Sequence, residues 1–253
     1  MALLEGKVAI VTAAAGAGIG QAVARRFADE GAQVVVTDAH ARRVQELAAA
    51  MSADYGREVP ALEVDVRKSE QVRAMVDRAL ERFGQVDILF NNAGINKLAP
   101  IWEMDEATWR LVIDVNLTGT FNCTRAVLPH MIELNSGAIV SMASVAGWMG
   151  SNEGESHYCA AKAGVMAFTR AVAAEVGKFG IRVNAIAPGL IYNEFLEHIY
   201  PKEFFTQFAK RVPLGRVGQP PDVADLALFL ASDMSRYITG EVICISGGGF
   251  MAP

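Results

Sequence analysis

The stretch VTAAAGAGIG, residues 11–20, joins an apolar run to a helical pattern through small residues. Upstream, KVAIVT (7–12) reads as a buried strand; downstream, helical periodicity begins near Ile19. A strand that enters a helix through such a turn lets backbone N–H groups approach a pyrophosphate, and the helix N-terminus adds partial positive charge. Gly16, Gly18 and Gly20 are therefore candidate phosphate-loop residues, although small residues also serve ordinary tight turns. No Gly-Lys-Ser/Thr follows, which excludes a P-loop.

Working outward, strand-like runs recur at QVVVTD (33–38), ALEVDV (61–66), DILFNNA (87–93), GAIVSMAS (137–144), RVNAIAP (182–188) and EVICIS (241–246). Helical patterns lie between them at about 19–30, 41–55, 69–83, 105–134, 158–178 and 221–232. The runs are mostly continuous rather than alternating, as expected of a parallel sheet covered on both faces. The order predicts an α/β fold with one doubly wound, seven-stranded parallel sheet, and 1–253 as a single domain. Its 253 residues suffice for a sizeable core.

A net charge of −5 gives no support for nucleic-acid binding, and no apolar run reaches the length of a membrane span. The start, MALLEGKVAIV, does not read as a signal peptide. Cys123, Cys159 and Cys244 form neither a disulfide framework nor a zinc pattern and fit a reducing cytoplasm. The four histidines show no metal-ligand spacing, so no metal is expected.

Ligands of doubly wound sheets bind at the carboxyl ends of the strands. Asp38 closes the second run, 18 residues after Gly20, where a carboxylate can accept bonds from a ribose diol and repel a 2′-phosphate; an N-cap for 41–55 is its other reading. Asp65 closes the third run and can reach an adenine amino group or cap a helix. YCAAK places Tyr158 and Lys162 at i and i+4 on one helix face. A nearby ammonium favours a phenolate, so the pair suits general acid/base work, although such pairs also occur on solvated faces. Ser144, 14 residues before Tyr158, is placed to hold a carbonyl oxygen.

With these residues in order, the chain resembles the short-chain dehydrogenase/reductases, in the branch of 3-oxoacyl thioester reductases and small alcohol dehydrogenases. The resemblance runs from LEGKVAIVT (4–12) to ITGEVICISGG (238–248), through NNAG (91–94), DVNLTGTF (114–121), Ser144, YCAAK and RVNAIAPG (182–189). It implies a Rossmann-type domain and an NAD(H)-dependent ketone–alcohol oxidoreductase. Ser144 would polarise the carbonyl, Tyr158 would transfer the proton, and Lys162 would lower the tyrosine pKa and bind the nicotinamide ribose. Asn116 would hold a water that relays protons. Cofactor contacts would come from Gly16, Gly18, Ile19, Gly20, Asp38, Asp65, Val66, Asn92, Ala93, Gly94, Tyr158, Lys162, Pro188, Gly189, Ile191 and Asn193. Asn91 would steady the central strand. NAD is expected over NADP, although Arg42 and Arg43 lie near Asp38. A homotetramer is also implied, with contacts along 105–134, 158–178 and 221–250.

The sequence departs from the family pattern in places. Ala13 stands where the first glycine of the turn is expected, and one extra residue precedes Gly18-Ile19-Gly20. Asn193 replaces a threonine that contacts the cofactor, and the gap from Ser144 to Tyr158 is one residue longer than usual. Residues 190–212 correspond to a substrate lid, carrying Tyr192, Phe195, Leu196, Ile199, Tyr200, Phe204, Phe205 and Phe208. These side chains form an apolar cover over a bulky or long substrate, 3-oxoacyl thioester-like or steroid-like, or simply pack on the domain. Ser144, Trp148, Tyr158 and Phe195 are the expected substrate contacts. Lys202, Lys210 and Arg211 can meet an anionic carrier such as a coenzyme A phosphate, or remain solvated. The rival readings are a catalytically inactive dinucleotide-binding sensor or scaffold, and an epimerase or dehydratase of the longer relatives. The intact catalytic set disfavours the first and the short chain the second.

Overall fold

The computed structural model describes residues 2–16, 18–193, 196 and 201–252. Seven parallel strands, β1 (Val8–Val11), β2 (Gln33–Asp38), β3 (Ala61–Glu63), β4 (Ile88–Asn91), β5 (Gly137–Met142), β6 (Ile181–Pro188) and β7 (Val242–Ile245), form one sheet in the order β3-β2-β1-β4-β5-β6-β7. This is the expected Rossmann-type doubly wound α/β fold. Successive strand residues point to opposite faces, and both faces are buried. Ala9, Val11, Val34, Val36, Phe90 and Val140 pack beneath α1 (Ile19–Asp29), α2 (Ala41–Tyr55) and α8 (Pro220–Ala231). Ile10, Val35, Leu89, Ile139 and Val183 pack beneath α3 (Ser69–Phe83), α5 (Gly119–Leu134) and α6 (Ser156–Val176). Two covered faces explain why the strands read as unbroken apolar runs.

The chain leaves β1 toward β2 and β3, then returns to the other side at β4. The crevice between the carboxyl ends of β1 and β4 is thus the switch point where such folds bind ligands.

Several details near the cleft differ from the sequence expectation. The third strand ends at Glu63, and Asp65 lies beyond it in a turn fixed by Arg67. The pattern over 105–134 is α4 (Glu106–Ile113), a five-residue π turn (Asp114–Thr118) and α5, with Asp105 capping the start through Thr108 N–H. The fifth strand ends at Met142, so Ser144 follows it rather than closing it. The lid range contains a helix of its own, α7 (Lys202–Ala209).

Candidate active site

The turns after β1 and β4 interlock at the switch point. Thr12 Oγ1 accepts the N–H groups of Asn92 and Ala93 at 2.9 and 3.2 Å, and Asn92 Nδ2 donates to the carbonyl of Ala13 at 2.9 Å. Ala13 has φ +49°, the left-handed region that glycine enters more readily. The chain thus takes a left-handed turn at the position where the resemblance leads one to expect a glycine. Gly20 is packed so closely that an added Cβ would lie 2.5 Å from both Ala13 O and Asn92 Nδ2. Around Gly16 and Gly18 nothing lies within 4 Å of such an atom, which leaves the backbone open to a ligand at the start of α1. Ile19 opens that helix, and Ala17 lies outside the described residues.

Asp38 sits at the end of β2 with its carboxylate facing this turn. Oδ2 accepts the N–H of Ala15 at 3.1 Å and Oδ1 that of His40 at 2.9 Å. Arg42 pairs with Glu46 along α2 at 3.7 Å and is largely exposed. Asp65 is held by its neighbour: Arg67 Nη2 donates to Oδ2 at 2.6 Å and Nε to Oδ1 at 2.9 Å, which keeps the Asp65 carboxyl below its usual range. The carboxylate expected at an adenine amino group is thus already paired. The carbonyl of Val66 accepts Asn122 Nδ2 at 2.9 Å, which fixes the same turn to α5.

Tyr158, Lys162, Ser144 and Asn116 come from three segments. Ser144 is extended and caps a short 3-10 turn (Val145–Gly147), its Oγ accepting Ala146 N–H at 3.2 Å. The Ser144 hydroxyl lies near enough to the Tyr158 phenol to favour its ionised form. Lys162 is buried; Nζ donates to the Met142 carbonyl at 2.7 Å and lies 5.5 Å from the Tyr158 ring centroid. Asn116 sits in the π turn, fully buried, with Nδ2 donating to Ile95 O and Val112 O, both at 2.8 Å. Its Oδ1 is buried without a partner. A Cβ on Gly94 would lie 2.8 Å from that Oδ1 and 3.3 Å from Lys162 Nζ, so both polar atoms converge where only glycine fits. A π turn inside a longer helix is frequent at functional sites. Here it carries the asparagine.

Burial dominates the protonation of this set. It pushes the Tyr158 phenol up to about 12, against the lowering pull of Ser144, and the Lys162 ammonium down to about 8. The sequence reading has Lys162 lowering the tyrosine pKa. In the structure the ammonium faces the ring and the Met142 carbonyl, and desolvation sets the direction of the phenol's shift, with Ser144 pulling against it. Tyr158 nevertheless keeps part of its surface at the cleft.

On the far side, Pro188 ends β6. Gly189 N–H donates to Ile245 O at 3.0 Å, and Ile191 is buried and bridged to Gly218. Asn193 Oδ1 accepts the N–H of Leu196 at 3.2 Å. Within the lid, Phe205 packs edge-on to Tyr192 and Phe204 at 5.4 and 5.6 Å, so part of the aromatic concentration is internal packing. Trp148 packs against the small cluster of Ala143, Val165, Met166, Ala185 and Ala187 and stacks on Phe250, with centroids 5.5 Å apart. Phe195, Ile199 and Tyr200 lie outside the described residues.

Three supports were not found from sequence. Met142 contributes only a carbonyl, which no residue type reveals. His157 is buried and its Nδ1 accepts the Tyr158 N–H at 2.9 Å. Asn96 reaches Glu155 at 2.7 Å, and Ala99 N–H reaches Gly154 O at 2.8 Å, clamping the loop after β4 to the one before α6. A separate concavity lined by Lys7, Asp87, Arg182 and Tyr237 lies at the amino ends of the strands, away from these groups. Among the described residues no cluster of metal ligands occurs, and no helix is long and apolar enough to cross a membrane.

The residues fit a nicotinamide dinucleotide. The turn has open backbone at Gly16 and Gly18, a carboxylate stands at the second strand, and an unpartnered Asn116 oxygen faces toward the lysine. The comparisons agree. A family model described as Enoyl-(Acyl carrier protein) reductase, adh_short_C2, matches residues 13–249. The chain is 45% identical over 245 residues to a (5R,7aS)-5-hydroxy-7a-methyl-1-oxo-2,3,5,6,7,7a-hexahydro-1H-indene-carboxyl-CoA reductase of Mycobacterium tuberculosis, covering 96% of this chain and 93% of that protein. It is 42% identical to a 3-oxoacyl-[acyl-carrier-protein] reductase FabG of Thermotoga maritima, covering 97% and 98%. Among solved structures, levodione reductase superposes with a TM-score of 0.91 at 36% identity, covering 96% of this chain and 97% of that one.

Proposed function

The chain belongs to the short-chain dehydrogenase/reductase family, and on that premise we propose that it interconverts a secondary alcohol and a ketone with NAD(H), as one dinucleotide-binding domain whose substrate lid is 190–212. The observation that carries this reading is the convergence of Ser144, Tyr158, Lys162 and Asn116 beside the switch-point crevice.

In the direction of reduction, the neighbouring hydroxyls of Ser144 and Tyr158 together form the pair that receives the carbonyl oxygen. Tyr158 gives its proton to that oxygen. A phenol held near 12 is a reluctant acid, so its release depends on positive charge at Lys162 when the cleft is filled. Lys162, fixed to Met142 O, holds its ammonium beside the ring, and Asn116, whose Oδ1 has no partner, would hold the water that relays protons from the lysine outward. The open backbone at Gly16 and Gly18 with the start of α1 would hold the pyrophosphate, Asp38 the adenosine ribose, and Lys162 the nicotinamide ribose. The bound nicotinamide supplies or takes the hydride; the protein supplies placement and proton transfer.

Asp38 favours NAD(H), because a 2′-phosphate at its carboxylate would place like charges together, while Arg42 is turned to Glu46. The substrate is a bulky or long apolar ketone, with acyl thioesters first. The two relatives are named for acting on a fused-ring acyl-CoA and on a 3-oxoacyl carrier-protein thioester. We also infer a homotetramer. The three cysteines, all free thiols, support a reducing cytoplasm. The test is a panel of 3-oxoacyl-CoA, fused-ring keto-acyl-CoA and simple cyclic ketones, assayed with NADH and with NADPH. Turnover of none of them, with dinucleotide bound, would favour the inactive sensor instead.

A further inference from the structure

The segment after β7 touches both the chain leaving α7 and the loop that follows Ser144. Its residues Gly247 and Gly248 lie against the chain leaving the lid helix α7. An added Cβ would be 2.8 Å from Val212 Cγ1 at the first position and 2.8 Å from Pro213 Cγ at the second. Leu214 N–H donates to Gly247 O at 3.1 Å. Three residues further on, Ser246 Oγ accepts the N–H of Phe250 at 3.0 Å and donates to its carbonyl at 2.8 Å, closing a tight loop that fixes where the Phe250 ring projects. That ring stacks on Trp148 at 5.5 Å with 15° between the planes. Trp148 in turn is tied by its N–H to Val145 O at 3.0 Å, in the short turn that Ser144 caps. The path from lid hinge to Ser144 is therefore a continuous set of contacts with one aromatic pair in the middle.

We propose that Phe250 is a positioning residue of the cleft: through its stack on Trp148 it ties the chain leaving α7 to the loop that carries Ser144 and holds the two in a fixed register. The inference rests on the oxidoreductase reading for its kinetic consequence, but not for the mechanical link. Stacked aromatic pairs add specific geometry beyond the area they bury. An aliphatic side chain in place of Phe250 would keep apolar contact and lose the register.

The experiment compares wild type with Phe250→Ala, Phe250→Leu and Phe250→Tyr in the full-length chain. The first measurement is the rate of tryptic cleavage after Lys202, Lys210 and Arg211, scored against cleavage elsewhere. The second is kcat and KM for the best ketone, with NADH affinity as control. Cleavage in the lid should rise about two- to tenfold in the alanine and leucine variants, the population change an aromatic pair of ordinary strength controls. KM should rise by a similar factor with a smaller change in kcat, NADH affinity should hold, and Phe250→Tyr should restore both readouts. Phe250→Leu indistinguishable from wild type would show that bulk alone matters and overturn the proposal; so would unchanged lid cleavage in Phe250→Ala. Should wild type reduce no ketone, the functional reading falls, while the cleavage ratios still decide the link.

Discussion

Lys162 is joined to Met142 by a 2.7 Å hydrogen bond from Nζ to the main-chain carbonyl, which pins α6 to the end of β5 through a buried cation. Burial holds that ammonium near 8, far below the roughly 10.4 of a solvated lysine. The unfolded chain therefore binds this proton more tightly than the folded one. Between about pH 8 and 10 the unfolded state carries the extra proton, so stability should rise with pH across that window. The raised phenol of Tyr158 acts in the opposite sense, but only above about 10, where the folded state holds the proton longer. Urea midpoints at several pH values, for wild type and Lys162→Met, check this. The upward slope should be present in wild type and absent in the variant. A flat wild-type profile would mean the cation is effectively solvated.

Tyr158→Phe keeps the ring beside Lys162 and removes the transferable proton. Turnover should fall by about two to four orders of magnitude, while dinucleotide affinity stays near wild type. Stopped-flow rates and equilibrium titration with NADH separate the two quantities. Turnover near the wild-type value would remove Tyr158 from its assigned role.

Asp38 should set the cofactor ratio. Two hydrogen bonds gained and a like-charge contact avoided amount to roughly 2–4 kcal/mol, a preference for NADH of roughly thirty- to a thousandfold. Asp38→Ala should collapse the ratio of catalytic efficiencies with NADH and NADPH. An unchanged ratio would leave Asp38 only its bonds to Ala15 and His40.

The glycine turn makes two opposite stability predictions. Ala13 carries the strain of a left-handed backbone, which costs about 1–2 kcal/mol for a residue with a Cβ, so Ala13→Gly should be neutral to stabilising by up to about 1 kcal/mol once the looser unfolded chain is counted. Gly20→Ala should destabilise, because its methyl would meet Ala13 O and Asn92 Nδ2 at 2.5 Å. Chemical denaturation of both variants tests the pair, and a Gly20→Ala protein as stable as wild type would mean the turn moves aside.

A tetramer remains the expected assembly, and light scattering at micromolar concentration reads it directly. A monomer there would count against it and would leave Tyr237, wholly exposed in the chain as it stands, facing water.

What the sequence determined by itself was set by local pattern. Continuous apolar runs such as VAIV and QVVVTD, separated by helical periodicities, specified strands buried on both faces, and hence the doubly wound sheet. The spacing of Tyr158 and Lys162 is likewise readable, because helix pitch is a local property, and so is the run of small residues at 13–20, although the contact of Gly20 with Asn92 is not. The tertiary structure decided what depends on distant partners. No residue type announces that Met142 lends a carbonyl, that Arg67 closes over Asp65, or that a π turn aims Asn116 at Gly94. The direction of the Tyr158 shift belongs to the same class, since desolvation is a property of everything packed around a group. So does the stack of Trp148 on Phe250, two rings far apart in the chain whose meeting only the packed sheet and its returning last strand could arrange.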